Sequence, residues 1–143
     1  MDQTAPPAPR DGTRPLALVV EAETDLRIVT ADRLTEAGFE VLEAWSGPTA
    51  LLQIERHPGI RLVIAADLPD PDGRFGLVRT LAETLAQTVA ETHAPHPGLV
   101  AVSAQPEPEP GVLPAGVRFR PKPLTAALAR EERDRVREEA DPA

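Results

Sequence analysis

The chain has 143 residues, enough for one domain with a sizeable core, and carries a formal net charge of −8 with a pI near 4.9. That acidic balance argues against nucleic-acid binding, which wants a basic stripe, and the absence of cysteine excludes disulfides and thiolate metal sites. No apolar run approaches the roughly 20 residues of a membrane span and no signal pattern opens the chain, so a soluble cytoplasmic protein is expected.

Residues 1–14 are rich in proline and polar residues and are expected to be disordered. Leu16–Val20 is a continuous apolar run, as in a strand buried on both faces, and it leads into Glu21-Ala22-Glu23. Thr24 or Asp25 is placed to cap a helix in which Leu26, Ile28, Val29 and Leu34 recur at helical spacing, with Gly38 ending it. Phe39–Ala44 alternates in polarity and suits the edge of a sheet. Ser46-Gly47-Pro48 opens a second helix, whose Ala50, Leu51 and Ile54 face inward and which stops at His57-Pro58-Gly59.

A third strand, Arg61–Ala65, leads into Asp67 and a turn-rich stretch of two prolines and an Asp-Gly pair. A third helix begins near Arg74 and carries Leu77, Val78, Leu81, Leu85 and Val89 to about Thr92. Leu99–Ser103 is a fourth strand. Three alternating prolines, Pro106, Pro108 and Pro110, then forbid a helix. Val117–Arg120 is a fifth strand, followed by Lys122-Pro123 and a final helix from Leu124 to about Glu139. Strands alternating with helices predict a parallel sheet covered on both faces, in the flavodoxin-like order 2-1-3-4-5, with its site at the carboxyl ends of the strands. Glu21, Ala65 to Asp67, Ser103 and Lys122 all fall at those ends. Lys122 is the only lysine in a chain otherwise biased to arginine, which points to a role that a compact ammonium fills better than a guanidinium.

The ordered set "LALVVEAE", "LTEAGFEVLEAWSG", "LVIAADLPDPDG", "VAVSA" and "GVRFRPKP" resembles the receiver domain of bacterial response regulators in two-component signalling. The resemblance covers about residues 16–130 of a domain expected at 15–130, leaving 131–143 as a charged helix end and tail. It implies two acidic residues after the first strand to hold Mg²⁺ and an aspartate after the third to accept a phosphoryl group. It further implies a hydroxyl after the fourth strand and a lysine after the fifth to bind the phosphoryl oxygens. Glu21 matches the first acidic position, but Ala22 falls where the second belongs. Counting back from Pro69, Asp72 and Gly73 puts Ala65 at the acceptor position. Ser103 matches the hydroxyl, Lys122 the lysine with its adjacent and often cis proline, and Phe119 the aromatic switch residue. The Pro-Glu repeat stands where such domains carry a fourth helix, so that helix is expected to be missing or replaced by loop.

A methyl group at Ala65 cannot act as the carboxylate nucleophile, and with Ala22 only Glu21 remains as a weak site for Mg²⁺. Lys122 is then free to pair with Glu21 or Asp67 without a metal, which locks the pocket rather than switching it. Asp67 as a relocated acceptor is a competing reading, with Asp70 a weaker choice, but Asp67 lies two strand rises, roughly 6.6 Å, beyond Ala65. Glu23 suits the start of the first helix. His93 and His96 read as exposed loop histidines, and Trp45 as either a partner anchor or core packing.

The resulting expectation is an atypical stand-alone receiver, with no effector domain following it and no enzyme activity or firm cofactor. It is expected to bind a histidine kinase, a phosphotransfer protein or another response regulator. The expected contact is the first helix (Leu26, Arg27, Thr30) and adjacent loops, and a homodimer is an alternative partnership.

Overall fold

The computed structural model describes residues 14–68, 73–93 and 95–140. Five strands form one parallel sheet: β1 (Leu16–Val20), β2 (Glu40–Ala44), β3 (Ile60–Ala66), β4 (Gly98–Ser103) and β5 (Arg118–Pro121), in the order β2-β1-β3-β4-β5. Four helices cover it: α1 (Thr24–Ala37), α2 (Gly47–Arg56), α3 (Gly76–Thr92) and α4 (Ala126–Ala140). This is the flavodoxin-like architecture expected. No helix lies among residues 104–116, where the alternating prolines stand. The expectation of disorder in the first residues lies, except for Arg14, outside the described residues.

Alternation along the strands sorts the core into two layers. Leu18, Val20, Val63, Ala65, Leu99 and Ala101 point to one face, where α2 contributes Ile54 and α3 contributes Leu81 and Leu85. Ala17, Val19, Leu62, Ile64, Val100 and Val102 point to the other, against Leu34 of α1 and Ala129 and Val136 of α4. The sequence loop at 104–116 is anchored by apolar side chains in place of a helix. Leu113 and Val117 pack against the α2/α3 layer beside Phe119 of β5. Positive φ angles at Gly111 (92°) and Gly116 (84°) let the chain fold back over that layer.

Two local expectations at α1 differ from what forms. The N-cap is Glu23, not Thr24 or Asp25, and it makes no side-chain cap; its N–H instead donates to Glu21 Oε2 at 3.0 Å. Ile28 and Val29 are exposed, and the buried residues of this helix are Ala31 and Leu34. The inward face is narrow because α1 shares that layer with α4. Gly38 does close the helix, in the left-handed region at φ 111°, with its N–H returned to Leu34 O and Thr35 O.

Helix α2 has a complete cap. Ser46 Oγ accepts from the Thr49 N–H at 3.2 Å, and Thr49 Oγ1 accepts from the Ser46 N–H at 3.0 Å, reciprocally satisfying two donors that a helix start leaves open. This cap also fixes the turn carrying Trp45. Ser46→Ala should lower unfolding free energy by about 1 kcal/mol, read from urea denaturation, with no change in the slope of the transition.

Candidate functional site

Parallel strands that end at one level bring side chains from separate segments together at their carboxyl ends. Glu21 follows β1, Asp67 follows β3, Ser103 closes β4 and Lys122 follows β5, and the structure gathers all four at that edge. The Lys122-Pro123 peptide is cis, as the resemblance led one to expect. The Lys122 N–H donates to Ser103 O at 3.0 Å, tying the end of β5 to the end of β4.

Glu21 is nearly buried, at 6% exposure. Its Oε1 stands 2.6 Å from Lys122 Nζ and its Oε2 accepts from the Glu23 backbone. Both oxygens therefore have a partner supplied by the chain itself. The pairing of Lys122 with Glu21 is one of the two anticipated; the other, with Asp67, does not form.

Asp67 is held by a residue that sequence reasoning did not single out. The strand ends at Ala66, and a Leu68 N–H to Ala66 O bond of 3.0 Å turns the chain there. Asp67 Oδ2 accepts from Arg74 Nε at 2.9 Å and from the Ser103 hydroxyl at 3.2 Å. Arg74 Nη2 donates to Ser103 Oγ at 3.1 Å and to Pro106 O at 3.0 Å, and the guanidinium lies over the Phe75 ring at 4.5 Å. Ser103 Oγ also accepts from the Gln105 N–H at 3.0 Å. A hydroxyl has one hydrogen to give and two lone pairs to receive. Here all three are used within the chain.

Ala65 has no exposed surface and sits in the α2/α3 layer, in register with Val20 of β1 and Ala101 of β4. Ala22 is exposed in the loop after β1. Phe119 is half-buried on β5 opposite Ala101. The weaker acceptor choice, Asp70, lies outside the described residues, as do Pro69 and Asp72.

The described residues do not fit Mg²⁺. That ion wants carboxylate oxygens and water in an octahedron. Glu21 has its oxygens occupied by an ammonium and a backbone N–H, Asp67 is claimed by Arg74, and Ala22 and Ala65 offer nothing. No group of three or more metal-ligating side chains occurs among the described residues.

Of the α1 residues expected to meet a partner, Leu26, Arg27 and Thr30 are all half-buried. Arg27 is committed internally: Nε donates to Glu43 Oε1 and Nη1 to Glu21 O, both at 3.0 Å, and the guanidinium stands 6.0 Å from the Trp45 ring centre. The exposed apolar side chains nearby are Ile28, Val29 and Trp45, the last at 58% exposure. Core packing is therefore not the role of Trp45. His93 and His96 are exposed.

No protein-family model matches the sequence, and no curated protein matches it. Solved structures do. The receiver domain of the hybrid histidine kinase CckA is 29% identical, with a TM-score of 0.59 over 87% of this chain and 97% of that one. A response-regulator receiver domain from Clostridium thermocellum is 20% identical, with a TM-score of 0.67 over 90% and 98%. The complex of CheX with CheY, BeF3 and Mg from Borrelia burgdorferi is 21% identical, with a TM-score of 0.66 over 87% and 90%. By structural similarity the chain has the fold of response-regulator receiver domains of the CheY-like type. No helix among the described residues is long and apolar enough to cross a membrane.

The Lys122–Glu21 pair has a measurable signature. Lys122→Met leaves a nearly buried carboxylate without its cation and should cost about 3 kcal/mol of stability, whereas adding Glu21→Gln to it should recover most of that loss. A double-mutant cycle by chemical denaturation reads both numbers.

Proposed function

We propose that this receiver domain signals by binding alone and takes no phosphoryl group at the usual position, which corresponds to Ala65. The observation that carries the reading is the saturation of Ser103. Its hydroxyl hydrogen goes to Asp67, and Arg74 and Gln105 fill its lone pairs, so nothing remains for an incoming phosphoryl oxygen. The Lys122 ammonium, which would meet the same oxygens, is held by Glu21 at 2.6 Å. A phosphoryl group would have to break both sets of contacts and would find a methyl group instead of a nucleophile. The domain is then a non-enzymatic adaptor or competitor, and its partner is a histidine kinase, a phosphotransfer protein or another response regulator.

The binding face proposed is α1 with the turn after β2. Leu26, Arg27 and Thr30 shape it, and the exposed Ile28, Val29 and Trp45 supply its apolar contact. An exposed tryptophan beside aliphatic side chains is the kind of group that carries interface energy once water is excluded. Arg27, braced by Glu43 and the Glu21 carbonyl, links this face to the closed pocket.

One observation favours a second reading, in which Asp67 accepts the phosphoryl group: its carboxylate lies 3.2 Å from the Ser103 hydroxyl. Against it stands the Arg74 bond to that same Oδ2 at 2.9 Å.

Incubation with acetyl phosphate and Mg²⁺ should leave the intact mass unchanged, and beryllofluoride should leave the amides of Glu21, Asp67, Ser103 and Lys122 unshifted. A phosphorylated species that disappears in Asp67→Ala would sink the binding-only reading in favour of the second. Restoring acids should help in a defined order. Ala22→Asp with Ala65→Asp should take more phosphate than Ala65→Asp alone, and adding Arg74→Ala should take more again.

Trp45, the one tryptophan of the chain, serves as its own reporter. Its emission should move to shorter wavelength on titration with a histidine phosphotransfer domain of the host, and Ile28→Asp should abolish that shift while leaving the far-ultraviolet spectrum unchanged. An unmoved emission across the host's kinases, phosphotransfer proteins and receivers, and on self-association, would refute this face.

A further inference from the structure

The opposite end of the sheet has a concavity of its own. A cleft of about 540 Å³ opens at the amino ends of β3, β4 and β5, between the middle of α3 and the last turn of α4. That volume falls in the range of small-molecule sites. Leu85 of α3, Leu99 of β4 and Val117 before β5 give it an aliphatic wall. Arg61 of β3 and Arg118 of β5 give it a cationic floor, with Gly98 of β4 between their strands. A side chain at Gly98 would meet the Arg118 guanidinium at 3.4 Å, so the glycine leaves that group room to lie across the strand.

The two arginines differ in what they hold. Arg118 is anchored by the fully buried Glu132, which also receives Arg120 Nε at 3.3 Å. Among the described residues Arg61 has only a longer ion pair. Its side chain is 14% exposed, yet its carboxylate partner, Glu139 Oε1, stands 3.9 Å from Nη2, beyond hydrogen-bond distance, and Glu139 itself is half exposed. The Nε of both arginines is buried with no partner among the described residues. The part of Arg61 that a ligand can meet is its Nη2, whose nearest carboxylate stands beyond hydrogen-bond distance, and a planar carboxylate is the group that fits a guanidinium best. Free phosphate would satisfy the charge but would gain nothing from Leu85, Leu99 and Val117.

We propose that this cleft binds a small carboxylic acid with an apolar body, its carboxylate on Arg61 in place of Glu139 and its hydrocarbon against the aliphatic wall. The inference is independent of the state of the pocket at the carboxyl end of the sheet. The test is an amide NMR titration of the full chain with octanoate, with octan-1-ol and inorganic phosphate as separate arms. Octanoate should shift the amides of Arg61, Leu85, Gly98 and Val117, while the alcohol and phosphate should leave them in place. Arg61→Gln should weaken octanoate roughly tenfold or more, as expected for loss of a charged hydrogen bond. Glu139→Gln, which removes the competing carboxylate and leaves Arg61 intact, should tighten it; this arm stands even if Arg61→Gln fails to fold. Silence with octanoate, equal shifts with octan-1-ol or phosphate, undiminished binding in a folded Arg61→Gln, or unchanged affinity in Glu139→Gln would each overturn the proposal.

Discussion

One guanidinium joins three segments that the sheet by itself leaves loose. Arg74 reaches Asp67 just beyond β3, Ser103 at the end of β4, and the carbonyl of Pro106 in the proline-rich stretch that follows. Its side chain is 35% exposed, so the ion pair with Asp67 contributes about 1 kcal/mol or less. The consequence is geometric rather than energetic. With Arg74 in place the Ser103 hydroxyl is spent, Asp67 is turned to one cation, and residues 104–106 are held close to the strand ends. Stacking on the buried Phe75 fixes the direction of approach.

The second cation at this edge completes the same logic. A nearly buried carboxylate needs a counter-charge, and Glu21 has one in Lys122 together with a backbone N–H. Charge that a divalent ion and a phosphoryl group would otherwise have to balance is balanced within the chain. A switch requires a ligand that binds one arrangement better than the other. Here any ligand would meet two internal pairs and a hydroxyl whose hydrogen and lone pairs are already used. Arg27 of α1, bonded to Glu43 and to Glu21 O, ties the first helix to the end of β1 beside that pocket.

The features legible in the sequence were those set by local rules. Continuous apolar runs identified the buried strands, the alternation of Phe39–Ala44 identified the edge strand, and Gly38, Ser46 and the alternating prolines marked where helices end, start and cannot form. The convergence of Glu21, Asp67, Ser103 and Lys122 followed from topology, because parallel strands deliver their ends to one side. The role of Arg74 was not legible, because its partners lie 7, 29 and 32 residues away and its direction depends on Phe75 beneath it. Ile28 and Val29 misled for a related reason. Helical spacing shows that a face exists, but which residues it buries depends on how α1 shares its layer with α4. Leu113 gave no signal either, since a lone leucine in a Pro-Gly stretch becomes an anchor only once the chain folds back over α3.

Seen along the strands, the two ends of the sheet differ in how closely their charges are matched. Ligands of open α/β folds ordinarily sit outside the carboxyl ends of the strands, where loops diverge and leave a crevice. In this chain the crevice is filled by its own Arg74, Asp67, Lys122 and Glu21, each with a partner of opposite charge. At the amino ends the balance is reversed: Glu132 is fully enclosed and matched by Arg118 and Arg120, but Arg61 faces an open cleft with a carboxylate too far to bond.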